Sequence, residues 1–309
     1  MDVKASETED RAISGLAQSL WDQMRAEQHA DALPRLSDAC RLLRSGYLGP
    51  LTETQTEDLD SMDRSLTKLT RRFEGEPIDW TDYSVAAHAL RGPLNSTIGF
   101  SRLMLKGADG PITAAQRDAL ETIYVESRKL LVIFNLLLDA LLLVGQGIGF
   151  SSEPVQADEI LQELIAVGQT LAENREFIFE ANVMAEITQT TIHSDAKRLK
   201  QALSALLAAS VKHMRAGRLT LRAWLGENGL LIQFENQACQ LPAPLLASLP
   251  ALLTAEADRS FPYDAHLRLG LAWRFLAEMG GGLEAQRNNE KCAFTVTLPL
   301  VRNAHPNHA

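Results

Sequence analysis

Residues 84–143 read SVAAHALRGPLNSTIGFSRLMLKGADGPITAAQRDALETIYVESRKLLVIFNLLLDALLL. Apolar residues recur at three- and four-residue steps: Leu90, Leu94, Ile98 and Leu103, then Leu120, Ile123, Leu130, Phe134 and Leu137. That spacing places them on one face of each of two helices. Gly107, Gly110 and Pro111 mark the turn between them. Thr113, followed after one helical turn by Gln116, makes a capping-box pattern, so the second helix is predicted to open there. A hairpin of two such helices exposes an apolar stripe and needs a partner.

The preceding sequence carries a second copy. RLLRSGYLGPLTETQTEDLDSMDRSLTKLTRRF (41–73) lies without a gap over RLMLKGADGPITAAQRDALETIYVESRKLLVIF (102–134). Arg41 falls on Arg102, Gly46 on Gly107, Gly49-Pro50 on Gly110-Pro111, Thr52 on Thr113, Gln55 on Gln116, Leu59 on Leu120 and Phe73 on Phe134. The alternative is two unrelated hairpins that share a common turn. In the same register Glu27 takes the place of His88, with His29 two residues away, and no Arg or Pro matches Arg91 and Pro93. Two assemblies follow: an intramolecular bundle of the two hairpins, or a homodimer with an extra N-terminal hairpin.

Residues 11–32 read as a helix with Ile13, Leu16, Leu20, Trp21 and Met24 on one side, interrupted by Pro34, and 35–46 continue as helix. EGEPIDWTDY (74–83) joins the two copies, and the glycines of VGQGIGFSSEP place the main boundary near Gly149. Beyond it helices and strands alternate. Residues 156–173 and 195–213 are predicted helices. FIFEANV (177–183) and the run to Ile192 are strands, and RLTLRAWL with LLIQFEN is a hairpin. HLRLGLAWRFLAEMGGG is a helix ending at glycine, with two closing strands after it. The expected division is 1–76, 77–149, 150–302 and a polar tail, 303–309, that holds His305 and His308.

Composition narrows the functions. A net charge of -9 argues against nucleic acid as the main partner. The run LLVIFNLLLDALLLV is broken by Asn135 and Asp139, so no stretch spans a bilayer, and the polar start MDVKASETEDRA is not a secretory signal. Cys40, Cys239 and Cys292 are odd in number and far apart; they suit neither a disulfide framework nor a zinc site, and they fit a reducing cytoplasm. ETQTEDLDSMD reads as a solvated helical face, and His193 and His213 as electrostatic trim at helix ends.

HALRGPLNSTIGFSRLML resembles the phosphoacceptor box of two-component sensor histidine kinases, through His88, Arg91, Pro93, Leu94, Asn95, Gly99 and Phe100. GPITAAQRDALETI resembles the turn and second helix of their dimerisation and phosphotransfer hairpin. The resemblance implies an α+β protein: tandem helical hairpins forming a four-helix bundle, then a histidine-kinase-ATPase-like α/β sandwich. It makes His88 the candidate phosphoacceptor, with Arg91 and Asn95 beside it. It also implies departures. Ala205 and Ala209 stand where the nucleotide helix carries Asn for magnesium, while Lys212 keeps a usually basic position. Asn236 replaces the Asp that reads adenine, and Ala238 and Gln240 replace glycines. His266 and Arg268 stand in the last glycine loop, which keeps only Gly270. Ala89 replaces the acidic residue after the His, and Gly92 the Thr or Asn tied to dephosphorylation. The expectation is therefore no bound ATP or magnesium. The chain is expected to bind a response-regulator receiver domain or a partner histidine kinase. The alternatives are a phosphotransferase that uses His88 as a carrier, and an active ATP-dependent kinase with atypical motifs.

Overall fold

A computed structural model describes residues 2–27, 32–145, 149–173, 175, 177–214, 216–227, 229–254, 257–258 and 260–300, with side chains from residue 14 onward. The expectations for Ile13, His29 and the tail with His305 and His308 lie outside what is described. Internal packing divides the chain into two compact units, Met1–Gln146 and Gly147–Ala309.

The first unit holds α1 (Asp2–Ala26), α2 (Ala32–Arg44), α3 (Glu53–Phe73), α4 (Tyr83–Leu105) and α5 (Ala114–Gly145). Pro34 falls in the first turn of α2, where its missing N–H costs nothing, and does not delay the helix to residue 35 as expected. Helices α2 and α3 form one hairpin and α4 and α5 the other. Helix α3 packs on α4 and α2 on α5, which closes a four-helix bundle within one chain, and α1 lies against α5.

The hairpin tips show why. Thr52 caps α3, with Gln55 N–H donating to its hydroxyl and Thr52 N–H donating to Gln55 Oε1. Thr113 and Gln116 repeat this box at α5. Each box then reaches across to the other hairpin. Thr52 Oγ1 donates to the Asp109 carbonyl at 2.9 Å and Gln55 Nε2 to the Pro111 carbonyl at 3.2 Å. Thr113 Oγ1 donates to Leu48 at 2.7 Å and Gln116 Nε2 to Pro50 at 3.1 Å. The exchange is reciprocal at equivalent positions, so the two copies are related by a pseudo-two-fold axis. Gly49 and Gly110 allow the approach. Both have positive φ, and an added Cβ would come within 2.6 Å of Thr113 Cγ2 and 3.0 Å of Thr52 Cγ2 respectively.

Below the tips the copies differ. Leu36 and Leu66 are buried in the first hairpin at the positions of Thr97 and Ser127 in the second, which are buried as well. Equivalent buried positions thus carry large side chains in one hairpin and small ones in the other. Cys40 is buried in α2, where desolvation, aided by Asp63, pushes its thiol up to about 12. At the far end of α3, Trp21 meets Phe73, Trp80 and Phe134 with ring centroids 4.9 to 6.0 Å apart.

The second unit holds β1 (Glu153–Gln156), α6 (Ala157–Glu173), β2 (Phe177–Val183), β3 (Thr191–Ser194), α7 (Ala196–Lys212), β4 (Gly217–Gly226) and β5 (Gly229–Asn236), then α8 (Ala243–Ala247), α9 (Tyr263–Glu278), β6 (Gly282–Asn288) and β7 (Lys291–Leu298). The main sheet runs β2-β4-β5-β7-β6, with β2 parallel to β4 and the other pairs antiparallel. The β1–β3 pair and α8 were not anticipated. Every second residue of β5 and β7 is buried, including Ile232, Phe234, Phe294 and Val296. Helices α7 and α9 pack side by side.

One expectation is corrected. Cys239 and Cys292 are joined by a disulfide, Cα atoms 5.6 Å apart, so the cysteines are not three free thiols. Cys292 lies opposite Asn236 in the β5–β7 ladder, and Cys239 follows β5 directly. Their distance in sequence hid a neighbouring-strand pair, and one ground for a reducing compartment goes with it. No helix among the described residues is long and apolar enough to cross a membrane.

Replacing Gln116 with alanine removes a cap bond and a cross-hairpin bond and leaves the Pro50 carbonyl without its donor. Urea denaturation is expected to show a loss of roughly 2–4 kcal/mol. A second outcome concerns Asp58. Burial, the charge and hydrogen bond of Asp109 on the other hairpin, and Glu57 push its carboxyl up to about 6. A carboxyl raised in the fold favours folding fully below its unfolded value of 3.8, and that contribution is lost as pH rises through about 6. Asp58→Asn should therefore melt above the parent at about pH 7.5 and lose that advantage near about pH 4.

Candidate functional site

In the first unit, His88 stands exposed on α4, one turn before Gly92. A Cβ at Gly92 would come no nearer than 3.7 Å to the His88 ring, so the ring lies over a position without a side chain. Asp82 caps α4 through the N–H groups of Ser84 and Val85 and sets where the helix begins. Pro93 removes the N–H that would return to the Ala89 carbonyl, yet α4 runs on through it. Arg91 is not free to follow a ligand. Its Nε donates to Asn135 Oδ1 on α5 at 2.7 Å, and its guanidinium lies 6.0 Å from the centre of the Tyr83 ring. Arg91 therefore braces α4 against α5. Asn95 is exposed one turn beyond it. An exposed imidazole on a braced helix can act as a nucleophile or a docking contact.

The residues matched to nucleotide motifs lie in the second unit. Asp195 caps α7 through the Arg198 N–H and also accepts from Ser151 N–H. Although burial opposes it, these bonds hold the Asp195 carboxyl below its usual range. Ala205 and Ala209 are buried on α7 and offer only methyl groups. Asn236, at the end of β5, is 1% exposed. Its Nδ2 donates to the Ser210 carbonyl at 2.9 Å and its Oδ1 accepts from Ala238 N–H at 2.8 Å. Both ends of this amide are engaged by the protein's own backbone. Gln240 N–H donates to the His213 carbonyl, which ties the segment after β5 to the end of α7.

On α9, His266 is fully buried and its Nε2 bonds the Leu252 carbonyl. Gly270 is buried against the same segment. An added Cβ there would lie 2.8 Å from Leu253 Cγ and 3.1 Å from Leu252 Cβ. The glycine retained from the last motif thus admits Leu252 and Leu253 of the α8–α9 connection.

One cluster was not foreseen as a unit. Asp264, in the first turn of α9, is buried; Arg268 Nε donates to both of its oxygens at 2.9 Å, and Lys212 Nζ lies 3.4 Å away. Burial alone would raise the Asp264 carboxyl, but Arg268, Lys212 and His213 hold it below the usual range. Burial lowers His213 against the pull of Asp264. Sequence reading singled out Lys212 and Arg268 one by one and treated His213 as helix-end trim. It passed over Asp264 because an acidic residue in a first helical turn is ordinary.

No protein-family model matches the chain. Among curated proteins it is similar to the circadian input-output histidine kinase CikA of Thermosynechococcus vestitus, 30% identical over 228 residues that cover 71% of this chain and 31% of that one. It is also similar to the sensor protein TorS of Escherichia coli, 27% identical over 303 residues that cover 94% of this chain and 32% of that one. The chain thus spans about a third of the length of the curated relatives it matches. Among solved structures, full-length ShkA in complex with AMPPNP shares the fold, with a TM-score of 0.57 and 23% identity over 71% of this chain and 45% of that chain. With similarity to sensor histidine kinases extending across both units and a His-bearing hairpin ahead of the sandwich, this chain belongs to the two-component histidine kinase family.

Proposed function

We propose that this chain is a two-component signalling protein that works through its helical bundle and not through its own ATP chemistry. It engages a response-regulator receiver domain, or a partner kinase, around His88. The observation that carries this reading is the engagement of Asn236. The residue matched to the base-reading position has both polar atoms bonded to backbone and almost no exposed surface. Leu252 and Leu253 packed over Gly270 support it further. The bundle supports a monomeric scaffold, because the partner that a histidine-bearing hairpin needs is the chain's own first hairpin.

A second reading is favoured by the open surroundings of His88. In it the imidazole is a covalent carrier. A ring nitrogen attacks the phosphorus of a receiver's aspartyl phosphate, a P–N bond forms, the P–O bond breaks, and the aspartate carboxylate leaves. The receiver supplies the magnesium ion, and Arg91 keeps α4 on α5 without touching the phosphoryl group.

Calorimetry with Mg-ATP is expected to give no binding; saturable binding would refute the first reading. Incubation with a phosphorylated receiver domain separates it from the second. Under the scaffold reading the receiver binds the parent and His88→Ala without moving its label. Under the carrier reading label reaches the parent and falls at least about tenfold in His88→Ala, equivalent to about 1.4 kcal/mol in the transfer step.

A further inference from the structure

Lys212 and Arg268 converge on one buried carboxylate. The Asp264 side chain is 4% exposed, Arg268 holds both of its oxygens, and Lys212 approaches from the last turn of α7. A guanidinium and an ammonium arranged around two oxygens are also the groups that hold a phosphate. Two further observations bear on this. The Lys212 side chain is 46% exposed, so the cluster reaches solvent on that side. His213, which caps α7 and is electrostatically coupled to the same carboxylate, has a buried Nε2 without a hydrogen-bond partner among the described residues. A buried ring nitrogen without a partner is costly unless it serves another group.

We propose that Asp264 is a built-in anion, held by Lys212 and Arg268, and that it locks this pair of cations against phosphate and phosphate esters. The proposal rests on the reading that the second unit does not use ATP, and it names what keeps phosphate out. Filling by Leu252 and Leu253 is a matter of shape. The Asp264 contact is a matter of charge, and a single residue reverses it. With the carboxylate removed, two cations lose their anion, and a dissolved oxyanion is the natural replacement.

The test uses the full chain, as the parent, Asp264→Ala and the near-isosteric Asp264→Asn, each checked for folding by circular dichroism. Inorganic phosphate is the probe, followed by thermal melting and calorimetry. The parent is expected to ignore phosphate. At least one folded variant is expected to melt higher in phosphate and to bind it at least about tenfold more tightly than the parent, and adding Arg268→Gln should abolish the gain. If alanine prevents folding, asparagine keeps the shape without the charge. Folded variants whose melting is indifferent to phosphate overturn the proposal and leave the scaffold reading standing. Binding of Mg-ATP by the parent overturns the scaffold reading, and this proposal with it.

Discussion

Two buried glutamines hold the bundle together at its tip. Gln55 and Gln116 each accept from the N–H of their own capping threonine and donate to a proline carbonyl of the opposite hairpin. A buried amide that is bonded at both ends is stabilising, and one left open is costly, so the two turns are specific for each other. The rest of the first unit follows from this closure. With the tips clasped, α3 meets α4 and α2 meets α5 along their apolar faces. Leu36 and Leu66, and their repeat equivalents Thr97 and Ser127, are all buried in it. Two copies of the second hairpin would place small polar side chains at all four of these positions.

The symmetry is one of backbone and turn, not of surface. Residues equivalent to α4 are divided between the end of α1 and the whole of α2, and Glu27 stands in the register of His88. The first copy retains what builds the tip and lacks counterparts of His88, Arg91 and Pro93. Among the described residues of the bundle His88 is the one histidine, and the proposed docking face lies around it. The proposed function depends on that face. The second unit complements it, because its α7 and α9 are held by contacts internal to the protein at the positions matched to the nucleotide motifs.

Much of this was legible in the sequence because it is local. The capping boxes at Thr52 and Thr113, the positive-φ turns at Gly46, Gly49, Gly107 and Gly110, and the helical periodicity all lie within a few residues of one another. The repeat aligned for the same reason. What was not legible is long-range. The Cys239–Cys292 bond depends on β5 and β7 being neighbours, and the short β1–β3 pair joins segments on either side of α6 and β2. The cross-hairpin bonds of the glutamines look like simple helix caps until the two tips are brought together. Asp264 is the clearest case at the candidate site. Arg268 stands one turn after it on α9, at ordinary ion-pair spacing, but Lys212 comes from α7, and nothing local announces that the two cations share one carboxylate.

The central claim is that one chain supplies both halves of its bundle. Light scattering on the purified chain tests this most directly. The account predicts a particle of single-chain mass, 34.0 kDa, that does not change on dilution. A particle of twice that mass, dissociating only when the α4–α5 face is altered, would contradict it.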